Sequence, residues 1–125
     1  MDAARIATQD LDPVLRTVQT FGFHLAALDI RQNSQFHDEA VAQLMSAAGM
    51  DGDRFLEWDE TQRLEFLNEE LSSPRPLTHP EMELGPEADA VVSCFKAVSD
   101  HVKTHGPDGL GALIISMTRS LSELL

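Results

Sequence analysis

The sequence predicts a predominantly α-helical chain with two short strands of the parallel type. Three observations support this fold class. Several segments carry apolar residues at helical spacing, bounded by caps, prolines or glycines. Two runs, 23–31 and 110–117, are apolar on both faces, as in parallel strands that helices cover on both sides. The 125 residues are 42% hydrophobic, which suits one domain or part of one.

Composition excludes several classes of function. Nine Lys and Arg against 21 Asp and Glu give a formal charge of −12. Binding to nucleic acid or to a membrane surface depends on Lys and Arg, so we expect neither partner. The one cysteine cannot form an internal disulfide, and the first thirty residues carry no secretory signal. No apolar run approaches the roughly 18 residues of a membrane span, and we expect a cytoplasmic protein.

The first helix is predicted to begin at Asp12-Pro13 and to end at Gly22. Residues 1–9 are either a frayed lead-in or the tail of a helix. We expect a buried stripe on the predicted helix, formed by Val14, Leu15, Val18 and Phe21.

The first strand is predicted over residues 23–31. Because side chains alternate along a strand, Asp29 and Arg31 point the same way and emerge together at its C-terminal end.

The middle of the chain predicts two helices separated by a turn at residues 51–53. Ser34 is expected to cap the first, which ends at Gly49. Its apolar face consists of Ala40, Val41, Leu44, Met45 and Ala48. Asp59 and Gln62 form a capping box for the second. The stripe of that helix consists of Leu64, Phe66, Leu67 and Leu71.

A proline-rich segment precedes the last long helix. Four prolines interrupt residues 72–86, which we interpret as an ordered loop because Leu77, Met82 and Leu84 give it apolar side chains to bury. Pro86 then opens a helix that ends at Gly106. Its stripe consists of Ala88, Val91, Val92, Phe95, Val98 and Val102.

The second strand is predicted over residues 110–117, and Ser120 or Ser122 is expected to cap a final helix of which one turn is present. An isolated pair of parallel strands exposes both of its edges. We therefore expect a piece of a larger α/β protein, in which four or five helices form and the two strands do not pair reliably without neighbours.

Asp29 and Arg31 are the leading candidates for a functional site. Parallel-sheet enzymes place their chemistry at the C-terminal ends of strands. An arginine fork binds phosphate or carboxylate through two hydrogen bonds. The alternative is a structural Asp29–Arg31 ion pair that closes the strand, and the residues alone leave both interpretations open.

The histidines do not predict a metal site. His101 and His105 are four residues apart on a helix, but a third ligand is not evident, and the helix dipole accounts for both. His24, His37 and His79 are isolated.

Four other features receive structural interpretations. The glycines of 106–111 follow a helix and precede a strand, the reverse of a phosphate-binding loop. Cys94 is expected to be a buried thiol. The methionines at 1, 45, 50, 82 and 117 are interpreted as core filling, and the acidic clusters at 57–60 and 69–70 as solvated helix faces.

Several motifs resemble the bacterial-type phosphoenolpyruvate carboxylases. The run FGFHLAALDIRQNSQFHDEA at residues 21–40 is similar to the stretch that forms a barrel strand and the following helix in that family. The likeness continues through Trp58-Asp59-Glu60 and LNEELSSPRPL at 67–77 to LIISMT at 113–118. It covers nearly the whole chain from about Leu11 onward, in order.

This resemblance implies that residues 1–125 form one partial domain, an internal segment of a helix-rich (β/α)8 barrel. The complete enzymes are cytoplasmic homotetramers. They convert phosphoenolpyruvate and bicarbonate to oxaloacetate and phosphate with Mg²⁺ or Mn²⁺, and so fix carbon dioxide and replenish the tricarboxylic acid cycle.

The resemblance also assigns residues. Arg31 matches an arginine that the family places against the substrate's phosphate. Asp29 would support it, a role we infer from strand alternation. The family's catalytic histidine lies in an earlier segment, and its metal-binding acids lie beyond the second strand. We therefore expect no complete catalytic set in this chain and no metal bound to it. Ser120-Leu121-Ser122-Glu123 replaces the family's Thr-Pro-Ser-Asp.

Two other interpretations compete with an inactive segment. The chain is a stand-alone helical interaction or regulatory module derived from the carboxylase, or the enzyme assembles from separately encoded pieces.

Overall fold

The computed structural model describes residues 3–125, and helices predominate in it. The elements are α1 (Ala3–Ile6), a π-helical segment (Ala7–Leu11), α2 (Asp12–Phe21), β1 (Leu28–Asn33), α3 (Ser34–Ala47), α4 (Gly52–Glu57), α5 (Glu60–Ser72), α6 (Pro86–His105), β2 (Leu110–Ser116) and a 3-10 helix (Leu121–Leu124). The predicted fold class of a mostly helical chain with two short parallel strands is confirmed. None of the helices in residues 3–125 combines the length and apolar character needed to cross a membrane.

The two strands pair with each other, which counts against the expectation that they do not pair reliably without neighbours. β1 and β2 run parallel, with Leu28 opposite Leu110 and Asn33 opposite Ser116. Side chains reinforce the pairing, because the Ser34 hydroxyl donates to the carbonyl of Met117 at 3.0 Å. These contacts join residues more than eighty positions apart.

The first strand begins later than predicted, at Leu28, and continues to Asn33, so Asp29 and Arg31 lie inside the strand and the prediction that they emerge at its C-terminal end is wrong. The preceding residues turn instead. Gly22 and Leu25 both have positive φ, of 55° and 63°, and the amide of Leu25 donates to the carbonyl of Phe21 at 3.1 Å. Apolar residues alone do not make a strand, because the backbone also needs a partner, and β2 starts only at Leu110.

The first helix begins earlier than predicted, and Asp12 does not cap it. α1 continues through the π-helical segment into α2, and the amide of Asp12 donates to the carbonyl of Ala7. A proline inside an α-helix clashes with the preceding turn. The wider π turn lies immediately before Pro13 and accommodates its ring. Of the two interpretations of residues 1–9, the helix tail is the correct one for residues 3–9. Met1 and Asp2 lie outside the described residues.

The apolar stripe of α2 is exposed, so the prediction that it is buried is wrong. The four side chains of this stripe are 43–60% exposed: Val14, Leu15, Val18 and Phe21. The spacing correctly identifies an apolar face, but nothing within residues 3–125 covers it.

The core lies among α3, α4 and α5. Ala42, Met45 and Phe55 are buried at its centre. The rings of Phe55, Trp58 and Phe66 pack edge to face around it, with centroids 5.4–6.3 Å apart.

α4 occupies the segment that was predicted as a turn. Asp51 caps this helix by accepting a hydrogen bond from the amide of Arg54 at 3.3 Å. Gly52 packs so closely on α3 that a Cβ at this position would lie 1.8 Å from the carbonyl oxygen of Ala42. Glycine is therefore required here for close packing.

The caps of the longer helices are mostly as predicted, with one exception. Asn33 caps α3 by accepting from the amide of Phe36 at 2.8 Å, and Ser34 is the first helical residue. The capping box of Asp59 and Gln62 is confirmed. α6 starts at Pro86 and ends before Gly106, as predicted.

Two local predictions about the rest of the chain have different outcomes. In the proline-rich loop, the side chains of Leu77, Met82 and Leu84 are half-buried, as expected. At the C-terminus, neither candidate serine caps the 3-10 helix: Ser120 holds the N-cap position without a side-chain hydrogen bond to the backbone. Ser122 instead binds another helix, as described below.

Candidate functional site

The two faces of the sheet differ. Ile30, Arg31, Gln32 and Leu113 line a small cavity against α6, with Ala90, Val91, Cys94 and Phe95 on the helix side. By strand alternation, the side chains of Asp29 and Arg31 point away from those of Ile30 and Gln32, and both are exposed. The side of the sheet that carries Ile30 and Gln32 therefore lies towards α6, and the candidate pair lies in the exposed part of the sheet, with Arg31 at the border of the cavity.

Asp29 and Arg31 form the predicted pair. Nη2 of Arg31 donates to Oδ2 of Asp29 at 3.2 Å, while the arginine side chain remains 71% exposed. Oδ1 of Asp29 accepts from the backbone amide of Ala112 in β2 at 3.1 Å. The pKa of Asp29 lies below its ordinary value, mainly because of the hydrogen bond from the Ala112 amide and secondly because of the Arg31 guanidinium. The structural ion pair thus exists, and the rest of the arginine fork faces solvent.

A hydrogen bond joins the C-terminal ends of the two strands. Ser34 is buried, and its hydroxyl holds the carbonyl of Met117. Met117 has a φ of 61°, and its side chain is exposed, so it is not core filling, in contrast to the buried Met45. Left-handed backbone is strained for a non-glycine residue and persists where its surroundings determine it.

A second charged cluster lies beyond the end of β2. Asp38 is buried and accepts from Nη1 of Arg63 at 3.0 Å and from Nη2 of Arg119 at 2.8 Å. Arg119 also pairs with Glu123, whose side chain is only 1% exposed. Burial alone would raise the pKa of Glu123, but the backbone amide and guanidinium of Arg119 lower it below its ordinary value. Each charged side chain of the cluster has an opposite charge as its partner, although the buried Nε of Arg63 makes no hydrogen bond, and the cluster is structural in character.

Glu60 extends this cluster to α5. Its carboxylate accepts from the amide of Ser122 at 3.0 Å and from the Ser122 hydroxyl at 2.6 Å. The Ser122 hydroxyl is the main cause that lowers the pKa of Glu60. The acidic cluster at 57–60 is therefore not simply a solvated face, because Glu60 anchors the C-terminal 3-10 helix.

The remaining candidates do not form a site. The rings of His101 and His105 stack at 5.1 Å, and Nε2 of His101 contacts the carbonyl of Asp108 at 3.1 Å. Across residues 3–125, no three His, Cys, Asp or Glu side chains are grouped so that they could hold a metal ion. Cys94 is exposed rather than buried, because its part of α6 faces the partly open cavity beside the sheet.

Sequence reasoning missed two residues of β2 that touch Asp29. A Cβ built on Gly111 would lie 2.3 Å from Oδ1 of Asp29, and the amide of Ala112 donates to the same atom. The sequence feature that could have revealed them is the glycine inside an apolar strand, because such a glycine often marks a β-bulge or a place where another group packs closely against the backbone.

Comparison with known proteins decides the family. The profile of the phosphoenolpyruvate carboxylase family matches residues 1–125. The chain belongs to the phosphoenolpyruvate carboxylase family. It is 36% identical over 124 residues to the phosphoenolpyruvate carboxylase of Roseiflexus castenholzii, a match that covers 99% of this chain and 13% of the relative.

Two other phosphoenolpyruvate carboxylases show the same pattern. The Rhodothermus marinus carboxylase is 42% identical over 122 residues, covering 97% of this chain and 13% of the relative. Phosphoenolpyruvate carboxylase 2 of Chlamydomonas reinhardtii is 40% identical over 120 residues, covering 96% and 9% respectively. The chain thus spans about 13% or less of the length of these curated relatives.

Proposed function

We propose that this chain supplies the Arg31 side of a phosphoenolpyruvate carboxylase active site, in which Arg31 binds the phosphate of phosphoenolpyruvate. The observation that carries this proposal is the exposed guanidinium of Arg31, which Asp29 holds in the first strand of a parallel pair. The reaction of the complete enzyme is the conversion of phosphoenolpyruvate and bicarbonate to oxaloacetate and phosphate.

The chemistry of arginine suits this role. Its guanidinium stays charged at any working pH and presents donors in a fork that matches phosphate oxygens. Negative charge moves among phosphate oxygens as the phosphoryl group leaves phosphoenolpyruvate, and a fixed cation nearby lowers the energy of that transition state. Asp29 keeps the fork oriented in the absence of substrate, which reduces the entropy lost on binding.

The arrangement of the strands supports a (β/α)8 barrel in the complete enzyme. β1 and β2 are adjacent and parallel, α6 lies beside the Ile30 and Gln32 side of the sheet, and the Arg31 side chain is exposed. In such barrels the helices form the outer ring and active sites lie at the C-terminal ends of the strands. The side of the sheet to which Asp29 and Arg31 point corresponds to the barrel interior in this proposal, and residues 1–125 are one partial domain of it.

The exposed apolar surface supports packing against more of a longer chain. Leu11, Val14 and Leu15 on the first helix and Leu28 on the sheet are all more than half exposed. Contiguous exposed apolar patches usually mark an interface with another part of a protein or with a partner. The relatives are long enough to cover them, since this chain spans about 13% of their length.

The described residues do not fit a metal site. The family resemblance implies Mg²⁺ or Mn²⁺ in the complete enzyme, but residues 3–125 bring no three suitable ligands together. The role proposed for Arg31 and Asp29 therefore rests on phosphate binding and orientation by this chain's own side chains.

The family supports several further proposals about the complete enzyme. We propose a cytoplasmic homotetramer that fixes carbon dioxide and replenishes the tricarboxylic acid cycle. Its partners are phosphoenolpyruvate and bicarbonate rather than nucleic acid or a membrane, in keeping with the charge of −12.

The proposal is tested by comparing the purified 125-residue chain with a chimera. In the chimera, residues 1–125 replace the corresponding stretch of the Rhodothermus marinus carboxylase. We expect the chimera to form oxaloacetate from phosphoenolpyruvate and bicarbonate with Mg²⁺. We expect no measurable carboxylation by the 125-residue chain, since loss of proton-handling and metal groups costs many orders of magnitude in rate. Robust oxaloacetate formation by the purified chain, abolished by Arg31→Ala, would overturn the assignment as a supporting segment.

A second candidate function is a stand-alone interaction module. The pairing of β1 with β2 and the anchored C-terminus favour it, because both stabilise the isolated chain. A cooperative thermal transition together with a defined oligomer supports this module. A broad transition with dye-accessible apolar surface supports the segment instead.

A further inference from the structure

We propose that a bulge in β2 at Gly111 and Ala112 positions Arg31 for phosphate binding, with Asp29 as the link between them. This inference rests on the proposed function, because it concerns how the same arginine is oriented. Gly111, Ala112 and Asp29 are positioning residues in this account, and Arg31 is the residue that touches substrate.

The strand register creates the bulge. Leu28 lies opposite Leu110, but Ile30 lies opposite Leu113. Two residues of β2, Gly111 and Ala112, therefore face the single residue Asp29 of β1. An extra residue of this kind leaves the regular ladder and re-aims a backbone group.

The re-aimed group is the amide of Ala112. It donates to Oδ1 of Asp29 at 3.1 Å, instead of to a backbone carbonyl of β1. Oδ2 of the same carboxylate accepts from Nη2 of Arg31 at 3.2 Å. The two oxygens of Asp29 are thus occupied by two different partners, and the carboxylate connects the backbone of β2 to the guanidinium.

Gly111 provides the space for this contact. A Cβ at position 111 would lie 2.3 Å from Oδ1 of Asp29, 3.1 Å from the carbonyl oxygen of Leu28 and 3.2 Å from the amide nitrogen of Asp29. Gly111 is not among the glycines with positive φ, so the need for glycine comes from the carboxylate and not from the backbone conformation. Any larger residue must push Asp29 away from Ala112, and Arg31 with it.

The lowered pKa of Asp29 agrees with these two hydrogen bonds. The pKa of its carboxyl is lowered, first by the Ala112 amide and then by Arg31. At neutral pH the group is therefore an acceptor at both oxygens. Small displacements of a substrate-binding group are costly in catalysis, since a shift of about 1 Å can reduce kcat/KM by about 100-fold.

The test uses the chimera of residues 1–125 with the Rhodothermus marinus carboxylase. We expect Gly111→Ala to raise the KM for phosphoenolpyruvate by about 10-fold or more while kcat falls much less. Gly49→Ala is the matched control, because it adds the same methyl group to open space in the turn after α3. Gly49 has positive φ, so its variant loses stability without touching Asp29, and we expect it to leave the KM unchanged.

A second variant keeps the inference falsifiable if Gly111→Ala fails to fold. Asp29→Asn retains an oxygen for the Ala112 amide but replaces the acceptor facing Arg31, and we expect a similar rise in KM. In the 125-residue chain, a carboxyl-carbon NMR titration adds a direct readout. Gly111→Ala is expected to move the pKa of Asp29 back toward its ordinary value.

The outcomes separate this inference from the proposed function. An unchanged KM in Gly111→Ala and in Asp29→Asn, combined with a reduced kcat/KM in Arg31→Ala, overturns the inference and leaves the proposed function standing. An unchanged kcat/KM in Arg31→Ala overturns the proposed function itself. An unchanged pKa of Asp29 in a folded Gly111→Ala chain also counts against the inference.

Discussion

Single residues decide how closely the helices of this chain approach one another. Gly52 is buried where α4 meets α3, and a Cβ at this position would lie 1.8 Å from the carbonyl oxygen of Ala42 and 2.4 Å from the hydroxyl oxygen of Ser46. We expect Gly52→Ala to lower the free energy of unfolding by about 1–3 kcal/mol, the usual cost of overpacking a core. Chemical denaturation of the 125-residue chain measures this change.

The control for that substitution lies in the same helix. Glu57 is exposed, and Glu57→Ala is expected to change the free energy of unfolding by no more than about 0.5 kcal/mol. Equal stability of Gly52→Ala and the unaltered chain would mean that α4 does not pack on α3 as described.

Residue-scale predictions from sequence succeeded where the interaction is local. The capping box of Asp59 and Gln62 is set by residues three apart and was predictable. Ser34 has the right chemistry for a cap, but the neighbouring Asn33 takes that role. The Ser34 hydroxyl binds Met117, a residue 83 positions away, and no local pattern reveals such a partner.

The 3-10 helix at the C-terminus is an element held mainly by carboxylates. Glu60 accepts from Ser122, and Glu123 accepts from Arg119. The pKa values of both carboxyls lie below the ordinary value of 4.5. A carboxyl with a depressed folded-state pKa stabilises the fold above its unfolded-state pKa, and this stabilisation is lost as the pH falls through the folded-state value.

We therefore expect the C-terminal anchor to be intact above pH 4.5 and to loosen below it. The amide NMR signals of Ser122 and Arg119 report this change between pH 7 and pH 3. Glu60→Gln removes the titrating group but keeps an acceptor, so the Ser122 signal should lose most of its acid-induced shift. Glu69→Gln, at an exposed position on the same helix, serves as the control. An identical acid shift in wild type and Glu60→Gln would contradict the anchor.

Element boundaries were predictable where capping residues or prolines mark them. Pro86 and Gly106 correctly bound α6. The start of β1 was not predictable, because it depends on where β2 begins. α4 was missed because the Asp51-Gly52 pair is typical of a turn, and its helical state depends on the packing of Gly52 and Phe55 against α3.

At the scale of the whole molecule, the chain combines a small core with extensive uncovered apolar surface. The core consists of Ala42, Met45 and Phe55 with their neighbours, whereas the apolar face of the first helix is exposed. The expected burial of that face was wrong for residues 3–125. A stripe identifies which face is apolar, and only tertiary structure identifies what covers it.

The site was partly predictable from the sequence. Strand alternation correctly placed Asp29 and Arg31 on the same face. The bulge at Gly111 and Ala112 was not predictable, because it arises from the register between two strands about eighty residues apart. The phosphate-binding role of Arg31 depends on the family resemblance together with its exposed position.

Arg31→Ala in the chimera with the Rhodothermus marinus carboxylase tests the central claim most directly. The matched control is Arg75→Ala, which removes another exposed arginine that lies near a carboxylate, at 3.9 Å from Glu70. Steady-state kinetics at varied phosphoenolpyruvate should show kcat/KM reduced by about 100-fold or more in Arg31→Ala, the size expected for loss of one transition-state donor, and little change in Arg75→Ala. Equal kcat/KM values for Arg31→Ala and the unaltered chimera would contradict the account.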